Sequence, residues 1–108
     1  MSINETIQKD ISENDVVLYM KGTKLMPQCG FSATVVQVLE RVGVINYKDV
    51  NVLADAEIRE GIKAYAQWPT IPQLYIKGEF VGGCDIVRDM YASGELRDLL
   101  REKGLLAE

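Results

Sequence analysis

Cys29 opens the run Cys29-Gly30-Phe31-Ser32, and with two cysteines and no histidine in 108 residues, almost any thiol or metal chemistry must pass through it. It stands where an extended, loop-like stretch, Lys21-Gly22-Thr23-Lys24-Leu25-Met26-Pro27-Gln28, gives way to an apolar run of helical spacing. A sulfur at that junction lies beside the first free N–H groups of a helix, whose partial positive charge favours a thiolate over a thiol. Ser32 falls where a Cys-x-x-Cys motif would place its second sulfur, and a hydroxyl neither resolves a mixed disulfide nor closes an intramolecular one. The chemistry is that of one thiol in need of a partner. A free cysteine is also a small hydrophobe for packing; the helix start, the preceding Pro27-Gln28 and the nearby Lys21 favour the reactive reading. Lys21 ends a strand and reaches toward the same helix terminus, where an ammonium stabilises a thiolate and attracts a carboxylate. By itself, a strand-end lysine is only a solvated charge.

The elements that must position these groups are legible in the apolar spacing. Ser2-x-x-Glu5 is a capping-box pattern before Ile3, Ile7 and Ile11, which share one helical face. Val16-Val17-Leu18-Tyr19-Met20 is a continuous apolar run bounded by Asn14-Asp15 and Gly22, the pattern of a strand buried on both faces. From Phe31, the positions Val35, Val38, Leu39 and Val42 predict a helix ending at Gly43 as its C-cap. Asn46 to Val52 predicts a strand, and Asp55 caps a helix carrying Ile58, Ile62 and Tyr65. Pro69 and Pro72 force an extended path through Trp68-Pro69-Thr70-Ile71-Pro72. Gln73–Ile76 and Glu79–Gly82 flank a Lys77-Gly78 turn as a hairpin. Asp85 is expected to cap a helix with Ile86, Val87, Met90 and Tyr91, and Ser93-Gly94 to separate it from a last helix with Leu96, Leu99 and Leu100. The order α-β-α-β-α-β-β-α-α implies an α/β fold with one mixed sheet and helices on both faces.

Composition narrows the function classes. A net charge of −4 without any block of like charges argues against a nucleic-acid partner, because neutralising a phosphate backbone takes clustered Lys and Arg. No apolar stretch approaches the roughly 18 residues of a membrane helix, and Met1 to Asp15 is polar without a hydrophobic signal core. Two widely spaced cysteines make no disulfide framework, and a reducing compartment keeps both sulfurs available. The expectation is a single cytoplasmic domain over residues 1–108, with its core at about 3–103, and neither a nucleic-acid nor a membrane partner.

Four motifs in order sharpen this reading: Met20-Lys21-Gly22-Thr23, Pro27-Gln28-Cys29-Gly30-Phe31-Ser32, Trp68-Pro69-Thr70-Ile71-Pro72-Gln73 and Val81-Gly82-Gly83-Cys84-Asp85. Together they resemble the successive signatures of monothiol glutaredoxins of the Cys-Gly-Phe-Ser type, over nearly the whole chain. Two departures stand out: Ile71 where many members carry Phe, and Leu25-Met26 in the loop before the cysteine. Both bear on the lip of the site rather than its chemistry.

The resemblance implies a thioredoxin-like fold, a four-stranded mixed sheet flanked by about five helices, and a site for glutathione. It implies a cis peptide before Pro72, with the main chain of Ile71 offered to an extended peptide ligand, the β-augmentation mode of recognition. It places the γ-glutamyl end at Gly83, Cys84 and Asp85, through free N–H groups and the Asp85 carboxylate, though Gly82-Gly83-Cys84-Asp85 also serves as a hairpin exit and helix start. It assigns Lys21 and Arg59 to the glycine carboxylate; an exposed helix arginine is otherwise merely solvated. Cys84 is open to three readings, a second ligand, a disulfide partner of Cys29 or a packed thiol, of which packing is favoured. Trp68 is expected in the core or at the site rim, with no catalytic role.

A [2Fe–2S] cluster takes four ligands, and this chain offers one exposed thiolate and no histidine. Two copies of Cys29 and two glutathione thiolates supply four sulfurs, the arrangement that the resemblance implies for a homodimer bridged by a labile cluster. The leading expectation is an iron–sulfur carrier with Cys29 as both reactive and metal-binding residue, serving apo iron–sulfur client proteins and pairing with a BolA-type partner as relatives do. The alternative is a glutathione-dependent oxidoreductase that reduces protein–glutathione mixed disulfides through Cys29. A regulatory module sensing iron through a partner uses the same residues.

Overall fold

The computed structural model describes residues 1–106; the last two residues of the expected 1–108 span lie outside the described residues. Its elements follow the order α1 (Ile3–Glu13), β1 (Val16–Met20), α2 (Gly30–Arg41), β2 (Lys48–Asn51), α3 (Ala56–Ala66), β3 (Gln73–Ile76), β4 (Glu79–Gly82), α4 (Cys84–Ser93) and α5 (Glu95–Glu102). The strands form one sheet in the order β2-β1-β3-β4. β1 runs parallel to β2, from Val17 opposite Lys48 to Met20 opposite Asn51, and antiparallel to β3, from Val16 opposite Ile76 to Tyr19 opposite Gln73. The hairpin β3–β4 turns through Lys77 and Gly78, both with positive φ, the geometry of a two-residue loop that matches strand twist.

The alternation of strand side chains divides β1 between two cores. Val16, Leu18 and Met20 face α2, α4 and α5, where they meet Val35, Leu39, Val87, Leu96 and Leu100. Val17 and Tyr19 face the other way, onto Ile7 and Ile11 of α1 and Ile58 and Ile62 of α3. With apolar partners on both sides, all five residues of β1 are buried, which is why the run is continuous rather than alternating. No helix among the described residues is long and apolar enough to cross a membrane.

Helix ends account for most differences from the expected boundaries. The Ser2–Glu5 capping box forms as expected, and Asp55 caps α3 by accepting from the N–H groups of Glu57 and Ile58. Gly43 lies one position beyond the Val42 cap: its N–H bonds to the Glu40 carbonyl and that of Val44 to the Leu39 carbonyl, a Schellman closure. β2 is shorter than Asn46–Val52 because only Lys48–Asn51 pair with β1. Asp85 does not cap α4. The cap is Gly83, and Asp85 lies within the first turn, its carboxylate 3.1 Å from Arg88. Ile86 points out of the core, leaving Val87 as the buried residue of that pair.

Candidate functional site

Cys29 is the N-cap of α2, in extended conformation, half-buried at the point where β1 delivers the chain to the helix. Its side chain makes no cap hydrogen bond. The N–H groups of the first turn act on the sulfur as dipoles instead, and hold its pKa below the ordinary thiol range. The Ser32 N–H has the largest effect, burial opposes it, and the Phe31 N–H, the Lys21 ammonium and the Ser32 hydroxyl add to it. Ser32 is fully buried, and its hydroxyl oxygen accepts from the Lys21 N–H at 3.1 Å. The sequence marks Ser32 only as a missing sulfur. In the fold it fastens the end of β1 to the first turn of α2.

The loop before Cys29 is closed upon itself. Thr23 and Met26 exchange main-chain bonds at 3.2 and 3.1 Å, and Gln28 donates to the Lys21 carbonyl at 2.9 Å. Gly22 has φ +89°, and a Cβ there would lie 2.5 Å from the Met26 carbonyl oxygen and 2.6 Å from the Gln28 nitrogen, so the closure demands glycine. Leu25 and Met26 in this loop are 89% and 68% exposed, and Phe31, which shares the pocket with Cys29, is 62% exposed.

A pocket of about 640 Å³ opens next to the sulfur, lined by Lys21, Cys29, Phe31, Arg59, Lys63, Trp68, Thr70, Ile71, Gly83, Cys84 and Asp85 among others. Every residue expected from the sequence as part of the site therefore lies on one cavity. Lys21, Arg59 and Lys63 set three cations on it against one carboxylate, that of Asp85. Lys63 was missed by the sequence reading; the signal is its place four residues after Arg59, on the same face of α3. The Arg59 Nε is buried without a hydrogen-bond partner, as is the Trp68 Nε1.

The opposite wall is the segment Trp68–Pro72. Its Ile71–Pro72 bond is cis, and the Ile71 side chain is buried in the core of α1 and α3. Gln73, fully buried, holds this wall: its amide donates to the carbonyls of Trp68 and Thr70 at 3.1 and 3.2 Å, and its oxygen accepts from the Tyr75 hydroxyl at 3.2 Å. Trp68 packs on Phe80 and Phe80 on Tyr75, with centroids 5.5 and 5.4 Å apart. Gly83 fits closely beneath: a Cβ there would sit 3.3 Å from both the Pro72 carbonyl oxygen and the Trp68 Nε1. The Cys84 thiol is buried in the α2–α4 core, and that burial pushes its pKa up, with Asp85 and Cys29 adding to the effect and Arg88 and Thr34 opposing it. Cys84 and Cys29 are both free thiols in this structure.

A fold of this order, with a cysteine at the N-cap position of the helix after β1 and a cis-proline loop on the same pocket, defines a thioredoxin-like protein of the glutaredoxin class. The glutaredoxin family model matches residues 16–81, and the chain belongs to that family. It is 56% identical over 97 residues to a probable monothiol glutaredoxin 2 of Rickettsia typhi, covering 90% of this chain and 86% of that one. An uncharacterized monothiol glutaredoxin of Synechocystis is 57% identical over 94 residues, covering 87% of each chain. Among solved structures, reduced apo GrxS14 of poplar superposes with a TM-score of 0.81 at 49% identity, covering 93% of this chain and 91% of that one. With Ser32 in the second position, this chain is a monothiol member.

Proposed function

We propose that this protein carries a labile [2Fe–2S] cluster between two copies of itself, each contributing Cys29 and one bound glutathione, and hands it to apo iron–sulfur client proteins. The observation that carries the reading is a single accessible thiol, biased toward the thiolate, at the mouth of a cationic pocket. Among the described residues, no three His, Cys, Asp or Glu side chains are grouped to hold a metal ion. One thiolate from this chain thus leaves three ligands to come from outside it.

The pocket supports glutathione as the source of part of that set. The tripeptide carries two carboxylates, an ammonium and a thiol. Lys21, Arg59 and Lys63 suit its glycine carboxylate, with the unpartnered Arg59 Nε the donor most in need of an acceptor. The first N–H groups of α4, at Cys84 and Asp85, are open to the γ-glutamyl carboxylate because Gly83 offers no side chain to cap them. Asp85 suits the ammonium; its exposed ion pair with Arg88 is weak enough to exchange. Ile71 has its side chain in the core, which leaves its main chain for the peptide. A BolA-type protein replacing one copy belongs to the same reading.

Anaerobic reconstitution with iron, sulfide and glutathione tests it. A coloured dimer is expected, with visible absorption that is lost in Cys29→Ser and retained in Cys84→Ser. Reconstitution equally good without glutathione would overturn the co-ligand part.

The lowered pKa of Cys29 also favours a second reading, glutathione-dependent thiol exchange. The Cys29 thiolate attacks the glutathione sulfur of a mixed disulfide and releases the protein thiolate. A second glutathione thiolate then attacks the Cys29–glutathione bond, regenerating Cys29 and forming glutathione disulfide. Turnover of a glutathionylated protein at rates typical of dithiol glutaredoxins would make this the principal activity.

A further inference from the structure

Trp68, Pro69, Thr70, Ile71 and Pro72 all line the pocket, whereas Gln73 is fully buried behind them and lines no part of it. The Gln73 amide nitrogen donates to the Trp68 carbonyl at 3.1 Å and to the Thr70 carbonyl at 3.2 Å, which occupies both of its N–H groups. The carboxamide oxygen accepts from the Tyr75 hydroxyl at 3.2 Å. A side chain engaged at both ends holds one orientation.

The bond to Thr70 reaches beyond packing. The Thr70 carbonyl and the Ile71 N–H belong to one peptide unit, and that unit is trans, the cis bond of the segment being Ile71–Pro72. In a planar trans peptide the C=O and the N–H point in opposite directions. Holding the Thr70 oxygen on the buried carboxamide therefore turns the Ile71 N–H away from it, on a residue that lines the pocket. Among the described residues the Ile71 N–H has no main-chain acceptor of its own. A free donor of that kind is what main-chain pairing with an extended peptide requires.

The rest of the wall has separate anchors. The Trp68 N–H donates to the Lys63 carbonyl at 3.0 Å, its ring packs on Phe80 at 5.5 Å, and the Ile71 side chain sits in the α1–α3 core. None of these fixes the plane of the Thr70–Ile71 peptide. Among the described residues, the Gln73 bond is the one that does.

We propose that Gln73 is a positioning residue for the peptide ligand: by holding the Thr70 carbonyl, it directs the Ile71 N–H at the main chain of bound glutathione. The inference rests on the glutathione reading given above and adds to it a side chain that never touches the ligand.

The test is a titration of the full-length apo chain with reduced glutathione, followed by calorimetry and by residue-resolved amide resonances, for the parent and Gln73→Met, which keeps the length of the side chain without its donors. In the parent, saturation should move the Ile71 amide proton downfield and slow its exchange. In Gln73→Met, affinity should fall about three- to tenfold, the range for one lost hydrogen bond, and the Ile71 response should vanish at saturation while those of the Cys84 and Asp85 amides persist. A merely structural role would weaken all three responses alike or none of them. Either result overturns the proposal, as does a variant that binds like the parent. Should Gln73→Met not fold, the Gln73 side-chain amide of the parent decides: its exchange should slow about threefold at saturation, because ligand and carboxamide grip the same peptide unit, and a rate indifferent to glutathione overturns the inference. A parent that does not bind glutathione sinks the glutathione reading and this inference with it, which its calorimetry alone reveals. A parent that binds without any Ile71 response leaves glutathione in place and overturns the role of Gln73.

Discussion

At the scale of single residues, the environments of the two thiols push in opposite directions. The N–H dipoles and Lys21 favour the Cys29 thiolate, whereas burial favours the Cys84 thiol. Alkylation of Cys29 should therefore rise with a midpoint below the usual thiol value of about 8.5, and that of Cys84 above it. The same difference enters stability. A Cys29 pKa lower in the folded than in the unfolded chain means that the unfolded state binds more protons within that window. Stability relative to Cys29→Ser should increase with pH from the folded pKa to the unfolded one, level off above it, and vanish below the folded pKa. Urea midpoints of parent and variant across pH 5 to 10 check the sign; a difference independent of pH would contradict the thiolate assignment. A second expectation concerns Arg59. With its buried Nε awaiting an acceptor, Arg59→Ala should weaken glutathione binding by about 1–2 kcal/mol, roughly five- to thirtyfold, as read by calorimetry. Unchanged affinity would return Arg59 to a structural part.

Elements were legible where one physical rule decides, and less so where two compete. The buried strand, the Ser2–Glu5 box and the hairpin at Lys77-Gly78 follow from apolar pattern or turn chemistry alone, and all three are present. Asp85 misleads because an aspartate near a helix start reads as a cap, yet the glycine before Cys84 already supplies the extended backbone, which leaves Asp85 two positions past the cap. Cys29 was legible because it sits at a helix start that the apolar pattern marks, whereas Arg59, Ile71 and the roles of Gly83 and Asp85 came from the family resemblance. Gln73 and Asn51 were not legible, since their partners, the carbonyls of Trp68 and Thr70 and the N–H of Gly22, are tertiary and leave no local trace. The closed loop before Cys29 makes a prediction at this scale. Gly22→Ala brings a Cβ into the Met26 carbonyl and Gln28 nitrogen at a positive φ, and should cost about 1–3 kcal/mol in urea unfolding. The loss should come with faster amide exchange at Gln28, whose bond to Lys21 the loop can then no longer close; wild-type stability would show that the loop relaxes freely.

For the whole molecule, the sheet carries a core on each face, and Cys29 follows β1, one of the two inner strands that both cores share. In the proposed dimer, two of the four sulfurs belong to tripeptides that dissociate, and the other two belong to separate chains. Mass action then governs the colour: diluting the loaded protein at fixed glutathione should bleach it, and adding glutathione at the lower protein concentration should restore part of the absorption. Sedimentation should show monomer appearing in step with the loss of colour. If absorption instead survives dilution with the protein monomeric, one chain holds the cluster alone, a result that the single accessible thiol cannot accommodate.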